Sequence, residues 1–144
     1  MTNEEEKLKQ FIQDNGIVGE HVRYEKSLHT VQELLAVTGL ALELITKTIV
    51  FKGEKTIAAM VPAKFRVSAS RLGKAVGMEV EIANPEEAYE KTGYPVGGMP
   101  CMGYESLLVI DLKVLENEYV YTGGGSEFSI VKISAEELKK LNPL

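Results

Sequence analysis

The chain has 144 residues, a usual length for one domain, and is long enough to bury a core without a metal or disulfide staple. With 44% hydrophobic and 26% charged residues, it is neither a disordered nor a fibrous sequence. A formal net charge of −5 argues against an indiscriminate nucleic-acid binder. In chain order, Thr2 followed by Glu5 marks a capping box. The helix it opens carries Leu8, Phe11 and Ile12 on one face and runs to about Asn15, with Gly16 as its stop. A strand is predicted at His21–Tyr24. Thr30 and Glu33 cap a second helix from Val31 to about Thr38, closed by Gly39. Thr46–Phe51 and Thr56–Val61 read as two strands around Lys52-Gly53-Glu54-Lys55, a hairpin with its glycine in the turn. A third helix starts after Ser68, buries Leu72, Ala75 and Val76, and ends at Gly77. After a short strand at Glu79–Ile82, Asn84-Pro85-Glu86-Glu87 supplies a cap, a proline at the first helical position and acids for the dipole. That fourth helix covers Pro85–Thr92 and ends at Gly93. Strands follow at Leu107–Asp111, Tyr119–Tyr121 and Ser129–Ile133. A fifth helix, Ala135–Leu141, is capped by Ser134 and Glu137. Strands and helices intermix without regular βαβ alternation, which predicts one α+β domain over residues 1–144 on a mixed, mostly antiparallel sheet.

The charge is unevenly spread. Residues 44–77 carry Lys47, Lys52, Lys55, Lys64, Arg66, Arg71 and Lys74 against the single acid Glu54, a local charge of +6, while the other 110 residues carry −11. A basic segment on an acidic body suits a small, located polyanion contact such as one nucleic-acid end; a solvated face is the plainer reading. Lys64, Arg66, Arg71 and Lys74 are the candidate phosphate contacts, since they lie off the apolar faces. One cysteine, Cys101, excludes an internal disulfide and a multi-cysteine zinc site, and His21 and His29 alone do not suggest a histidine-rich metal centre. No apolar run approaches the ~20 residues of a membrane span. The N-terminus is acidic where a signal peptide is basic and then apolar, so the cytoplasm is the expected compartment.

Two places depart from what folding alone requires. Strand alternation puts Lys47 on the face of Ile49 and Phe51, where a lysine either snorkels from a strand end or serves a pocket mouth. The segment Gly93–Gly103 has four glycines, two prolines and no charge. With Gly123-Gly124-Gly125 it holds seven of the 13 glycines in the chain. Such loops permit close backbone approach, and their N–H groups bind oxygen ligands. An uncharged loop is better explained as a binding loop than as solvated coil. No glycine is followed by Lys and Ser or Thr, and no G-x-G-x-x-G is present, so neither a P-loop nor a Rossmann cofactor site is supported. Cys101 is readable as a thiol nucleophile with His21 or His29 as base, or as a small buried apolar residue. Met60, Met99 and Met102 either line a small pocket or fill core gaps.

Taken in order, Tyr24-Glu25, His29-Thr30-Val31-Gln32-Glu33, Lys47-Thr48-Ile49-Val50-Phe51, Gly93-Tyr94-Pro95-Val96-Gly97-Gly98-Met99-Pro100 and Gly103 resemble the YbaK/ProX family of aminoacyl-tRNA editing domains. Gly124-Gly125 and Val131 to Leu138 fit that family's end, so the resemblance covers about residues 20–141. It implies a barrel-like sheet flanked by helices, and a hydrolytic pocket without metal or cofactor that deacylates mischarged tRNA carrying a small amino acid. It places Lys47 on the family's essential lysine and Gly97, Gly98 and Gly103 on its glycine loop. It puts Tyr24, Thr30, Met99, Pro100, Cys101, Gly124 and Gly125 at the substrate. Many relatives have Pro-Pro or Ser-Pro where this chain has Pro100-Cys101, so Cys101 is not a family nucleophile. Some relatives carry an acidic residue near the final strand, aligned loosely with Ser129. The implied partners are the tRNA acceptor end and an aminoacyl-tRNA synthetase, with neither DNA nor membrane. A non-catalytic tRNA- or synthetase-binding module of the same fold is the alternative.

Overall fold

The computed structural model describes residues 1–144. Five α-helices form where caps and apolar spacing place them: α1 (Asn3–Asp14), α2 (Val31–Thr38), α3 (Ala69–Val76), α4 (Pro85–Thr92) and α5 (Ala135–Lys139). Seven strands accompany them: β1 (Gly19–Arg23), β2 (Thr46–Lys52), β3 (Ile57–Pro62), β4 (Glu81–Ile82), β5 (Leu107–Ile110), β6 (Tyr119–Gly123) and β7 (Ser129–Ser134). The capping boxes of α1 and α4 are complete. Those expected for α2 and α5 are only half formed. Thr30 and Ser134 accept from the N3 amides, but the Glu33 side chain takes the Thr30 hydroxyl and Glu137 turns away to the Val18 amide. α5 is shorter than expected, because its last turn tightens to i+3 hydrogen bonds at Lys140 and Leu141. β4 is likewise two residues rather than four. On α3, Leu72 is buried and Val76 half-buried, but Ala75 is exposed, since it turns past the sheet-facing stripe.

The expected α+β fold with a mixed, mostly antiparallel sheet is present, but the sheet is not a closed barrel. There are two sheets, β1-β7-β6, wholly antiparallel, and β4-β2-β3-β5, in which only β3 and β5 run parallel. A single bridge, Ile45 with Tyr121, joins them, and the Thr46 hydroxyl reinforces it by donating to the Tyr121 carbonyl at 2.8 Å. Past that bridge no ladder pairs β2 with β6, so the two sheets do not close into a barrel.

Three apolar clusters hold the layers together. The largest lies between the sheets and takes Leu8 and Ile12 from α1, Ala88 from α4 and Leu138 from α5. Burying each of these leucine and isoleucine side chains contributes about 1.5–3 kcal/mol, and the Ala88 methyl about 0.8 kcal/mol. A second, with Leu28, Leu34, Ile45, Ala63 and Ile130, seats α2, and a third seats α3 through Leu72 on Phe51, Ile57 and Ala59. The site sits at the seam between the sheets.

Candidate active site

On one side β2 is paired along its length with β3. On the other, the ladder with β4 begins only at Phe51, and the bridge to β6 ends at Ile45. The stretch Thr46–Ile49 therefore faces an opening. The resulting pocket has a volume of about 260 Å³, bounded by β2, the β6 residues Tyr121–Gly123, the start of β7, the turn Leu28–Leu34 and the glycine loop at Val96–Met99.

Lys47 lines this pocket, half-buried, with no carboxylate in ion-pair range. Lys52, the other cation of β2, is paired with Glu87, so Lys47 is the one available to a ligand. Around it are hydroxyls. Thr48 and Thr122 are buried; the Thr48 hydroxyl has no hydrogen-bond partner, while that of Thr122 bonds to the Cys101 thiol. A buried polar atom is rarely left unpaired without a reason, and Thr48, like Thr122, lines the cavity. Ser129 is 2% exposed and lines it as well.

The glycine loop forms a wall by close backbone approach. Val96–Gly98 makes a 3₁₀ turn, and the Gly98 carbonyl accepts from the Gly125 amide at 2.9 Å. A Cβ on Gly98 would lie 2.4 Å from the Ser126 carbonyl oxygen, and one on Gly123 would lie 2.2 Å from that of Met99. These two positions therefore require glycine for contact, not for an unusual φ.

The structure brings Lys47, Thr30, Gly97, Gly98 and Met99 together at one pocket. Thr30 also caps α2 there. The other site candidates lie elsewhere. Gly103, at φ +97°, packs against Tyr94 and Leu8. Tyr24 joins the α2 cluster, and Pro100 is fully buried. Gly124 and Gly125 stand behind the wall, where the Gly124 carbonyl contacts His21 Nε2 at 2.9 Å. Cys101 is a core residue, 2% exposed, and burial pushes its thiol up to about 11. Neither histidine bonds to it: His21 turns to Gly124, and exposed His29 lies 3.9 Å from Glu127. The thiol-nucleophile reading is therefore set aside, because a buried thiol without a base does not ionise. Met99 lines the pocket, whereas Met60 and Met102 fill the core. Lys64, Arg66, Arg71 and Lys74 are exposed. Lys64 and Arg66 follow β3 at the end where Pro62 and Val61 pair with Thr46 and Lys47.

The hydroxyl group was the part of the site not singled out in the sequence, Ser129 excepted. Its one legible sign is Thr46-x-Thr48, a polar pair at strand spacing on the buried face of β2. No cluster of His, Cys, Asp and Glu is arranged to hold a metal ion.

Comparison with known proteins bears directly on this pocket, since residues 25–141 match the family of aminoacyl-tRNA editing domains. The chain belongs to that family. The editing domain is 23% identical over 123 residues to the uncharacterised protein YwhH of Bacillus subtilis, covering 83% of this chain and 78% of that one. It is also 23% identical over 124 residues to a proline–tRNA ligase of Thermosipho africanus, of which the match spans 22%. Among solved structures, a hypothetical protein, APE2540, superposes with a TM-score of 0.85 at 30% identity, over 93% of this chain and 92% of that one. A candidate trans-editing enzyme for prolyl tRNA synthetase superposes with a TM-score of 0.90 at 24% identity, over 100% and 95%. The editing domain thus shares its α+β fold with these structures along nearly its whole length. No helix in it is long and apolar enough to cross a membrane.

Proposed function

We propose that this editing domain hydrolyses the ester of mischarged aminoacyl-tRNA carrying a small amino acid, acting in trans and without a metal. The carrying observation is the convergence of an unpaired Lys47, the Gly97-Gly98 backbone and the threonine and serine residues Thr48, Thr122 and Ser129 on one cavity of about 260 Å³. That is below the ~300 Å³ at which pockets for drug-sized ligands begin, so it suits a small aminoacyl group. An aminoacyl ester is already activated, so its hydrolysis needs positioning and charge stabilisation more than a strong nucleophile. As the carbonyl becomes tetrahedral, negative charge grows on its oxygen. The Lys47 ammonium and the glycine-loop amides are the groups that meet it. Water attacks the carbonyl carbon, the bond to the ribose oxygen breaks, and amino acid and tRNA leave. Lys64, Arg66, Arg71 and Lys74 hold the acceptor-end phosphates in this scheme.

The test is a deacylation panel of tRNAs charged with Ala, Ser, Thr, Cys and Pro. One or more small noncognate esters should be cleaved, and Lys47→Ala should remove most turnover while leaving the melting temperature close to wild type. Binding of aminoacyl-tRNA without hydrolysis would instead make the protein a recognition module.

A further inference from the structure

Glu5 lies on α1, ahead of the segment 25–141 that matches the family. It is fully buried, beyond what its role in a capping box requires. Its Oε2 accepts from the Thr2 amide at 3.1 Å and from the Ser126 hydroxyl at 3.0 Å. Its Oε1 faces β1, with Arg23 Nε at 3.2 Å and His21 Nε2 at 3.8 Å, but receives no aligned hydrogen bond. Burial alone would raise its pKa. The Thr2 amide, the Ser126 hydroxyl, Arg23 and His21 outweigh that and hold it below the ordinary value, so the group is a carboxylate at neutral pH.

An ionised carboxylate only accepts, which fixes the direction of every bond that follows. Ser126 spends its one proton on Glu5. Its oxygen accepts from the Phe128 amide at 3.0 Å, and it lies 3.2 Å from the Ser129 oxygen. With its proton committed, Ser126 must accept there too, so Ser129 donates inward. Ser129 lines the pocket, and its remaining capacity toward the cavity is lone pairs alone. We propose that Glu5, acting through Ser126, sets Ser129 as a hydrogen-bond acceptor for the α-ammonium group of the substrate. A serine oxygen backed by a carboxylate through a polarised relay favours a cationic donor over water. The α-ammonium is the cation that every aminoacyl ester carries, so the proposal rests on the function proposed above. Glu5 and Ser126 are positioning residues, and Ser129 is the one that touches substrate.

The relay is tested with alanyl-tRNA and its deaminated counterpart, propionyl-tRNA, which keeps the ester and lacks the α donor. Ser126→Ala breaks the relay while leaving Glu5 its contacts with Thr2 and Arg23. It should raise KM for the alanyl ester about tenfold or more, the effect of losing a hydrogen bond to a charged group, and leave the propionyl ester within about twofold. Glu5→Gln should do the same, and combining it with Ser129→Ala should add nothing to Ser129→Ala alone. Equal losses on both esters, or additive losses, would overturn the relay by reducing these residues to structural support. A test without turnover uses calorimetry with amide-linked alanyl- and propionyl-adenosine. If wild type cleaves neither ester but prefers the alanyl amide, and Ser126→Ala abolishes that preference, the relay stands and the hydrolytic reading falls. Equal affinity in wild type overturns the relay.

Discussion

Gly98→Ala drives a side chain into the wall between the two glycine loops. The added Cβ would lie 2.4 Å from the Ser126 carbonyl oxygen, 2.5 Å from its carbon and 2.6 Å from its nitrogen. All three are backbone atoms, so no side chain can swing aside. Restoring ordinary contact means parting the loops by about 1 Å. Overpacking of this kind costs about 1–3 kcal/mol, and stretching the Gly125-to-Gly98 hydrogen bond adds about 1 kcal/mol, for a total of about 2–4 kcal/mol. In a domain of this size that corresponds to a fall in melting temperature of about 6–12 °C. Gly16→Ala is the control. At Gly16 a Cβ meets nothing within 4 Å, and the φ of +62° leaves only the left-handed strain of about 1–2 kcal/mol. The two variants are compared by calorimetric melting, with deacylation measured below both transitions. Gly98→Ala should melt lower than Gly16→Ala, and it alone should lose activity while still folded. If Gly98→Ala melts with the control and keeps wild-type turnover, the close approach of the loops neither stabilises the fold nor shapes the pocket.

Lys47→Arg should recover only part of the activity lost in Lys47→Ala, since a planar guanidinium does not replace a point ammonium, and full recovery in steady-state kinetics would contradict that. Cys101 should resist iodoacetamide in the native protein at pH 8, and Cys101→Ser should retain hydrolysis; rapid labelling or a trapped thioester would restore the thiol mechanism. The Glu5 carboxyl is held below its ordinary 4.5, so its contribution is present above that value and is lost as pH falls through the depressed one. Glu5→Gln should therefore be less stable than wild type at pH 7, with the gap narrowing in denaturant titrations as pH drops below 4.5; a constant gap would show that the charge contributes nothing. Neutralising Lys64, Arg66, Arg71 or Lys74 should reduce the slope of log affinity against log salt for tRNA by somewhat under one unit per contact, and leave cleavage of a free aminoacyl ester unchanged.

Local signals carried most of the fold because local chemistry set it. Caps at Thr2, Ser68 and Asn84, stops at Gly39, Gly77 and Gly93, and the hairpin turn at Gly53 all act within a few residues. Sheet closure is different. Whether β2 and β6 meet along their length or at Ile45 alone is decided between residues 75 apart, where period-two alternation carries no information. The site divides in the same way. Lys47 stood out because it breaks the composition of its strand, and Gly97-Gly98 because an uncharged loop is unusual. Glu5 did not stand out, because a glutamate three residues after Thr2 is fully accounted for as a capping acid, and its burial beneath Ser126 depends on a segment 121 residues away. Ser126 itself carried no sign.

The position of α1 and β1 bears on how this domain can be divided. The matching segment begins at residue 25, but the core does not. Excising the first 24 residues would strip Leu8 and Ile12 from the central cluster and remove the ring contact of Lys7 with Tyr94 and the Tyr89 hydroxyl's acceptor on Glu4. It would also take away β1, baring the backbone of β7 from Ser129 to Ile133 as an open edge next to the pocket. A bare edge of that length invites pairing with other chains. In this protein the family segment is therefore not a transplantable module: an editing domain moved to another scaffold has to bring its N-terminal helix and strand with it.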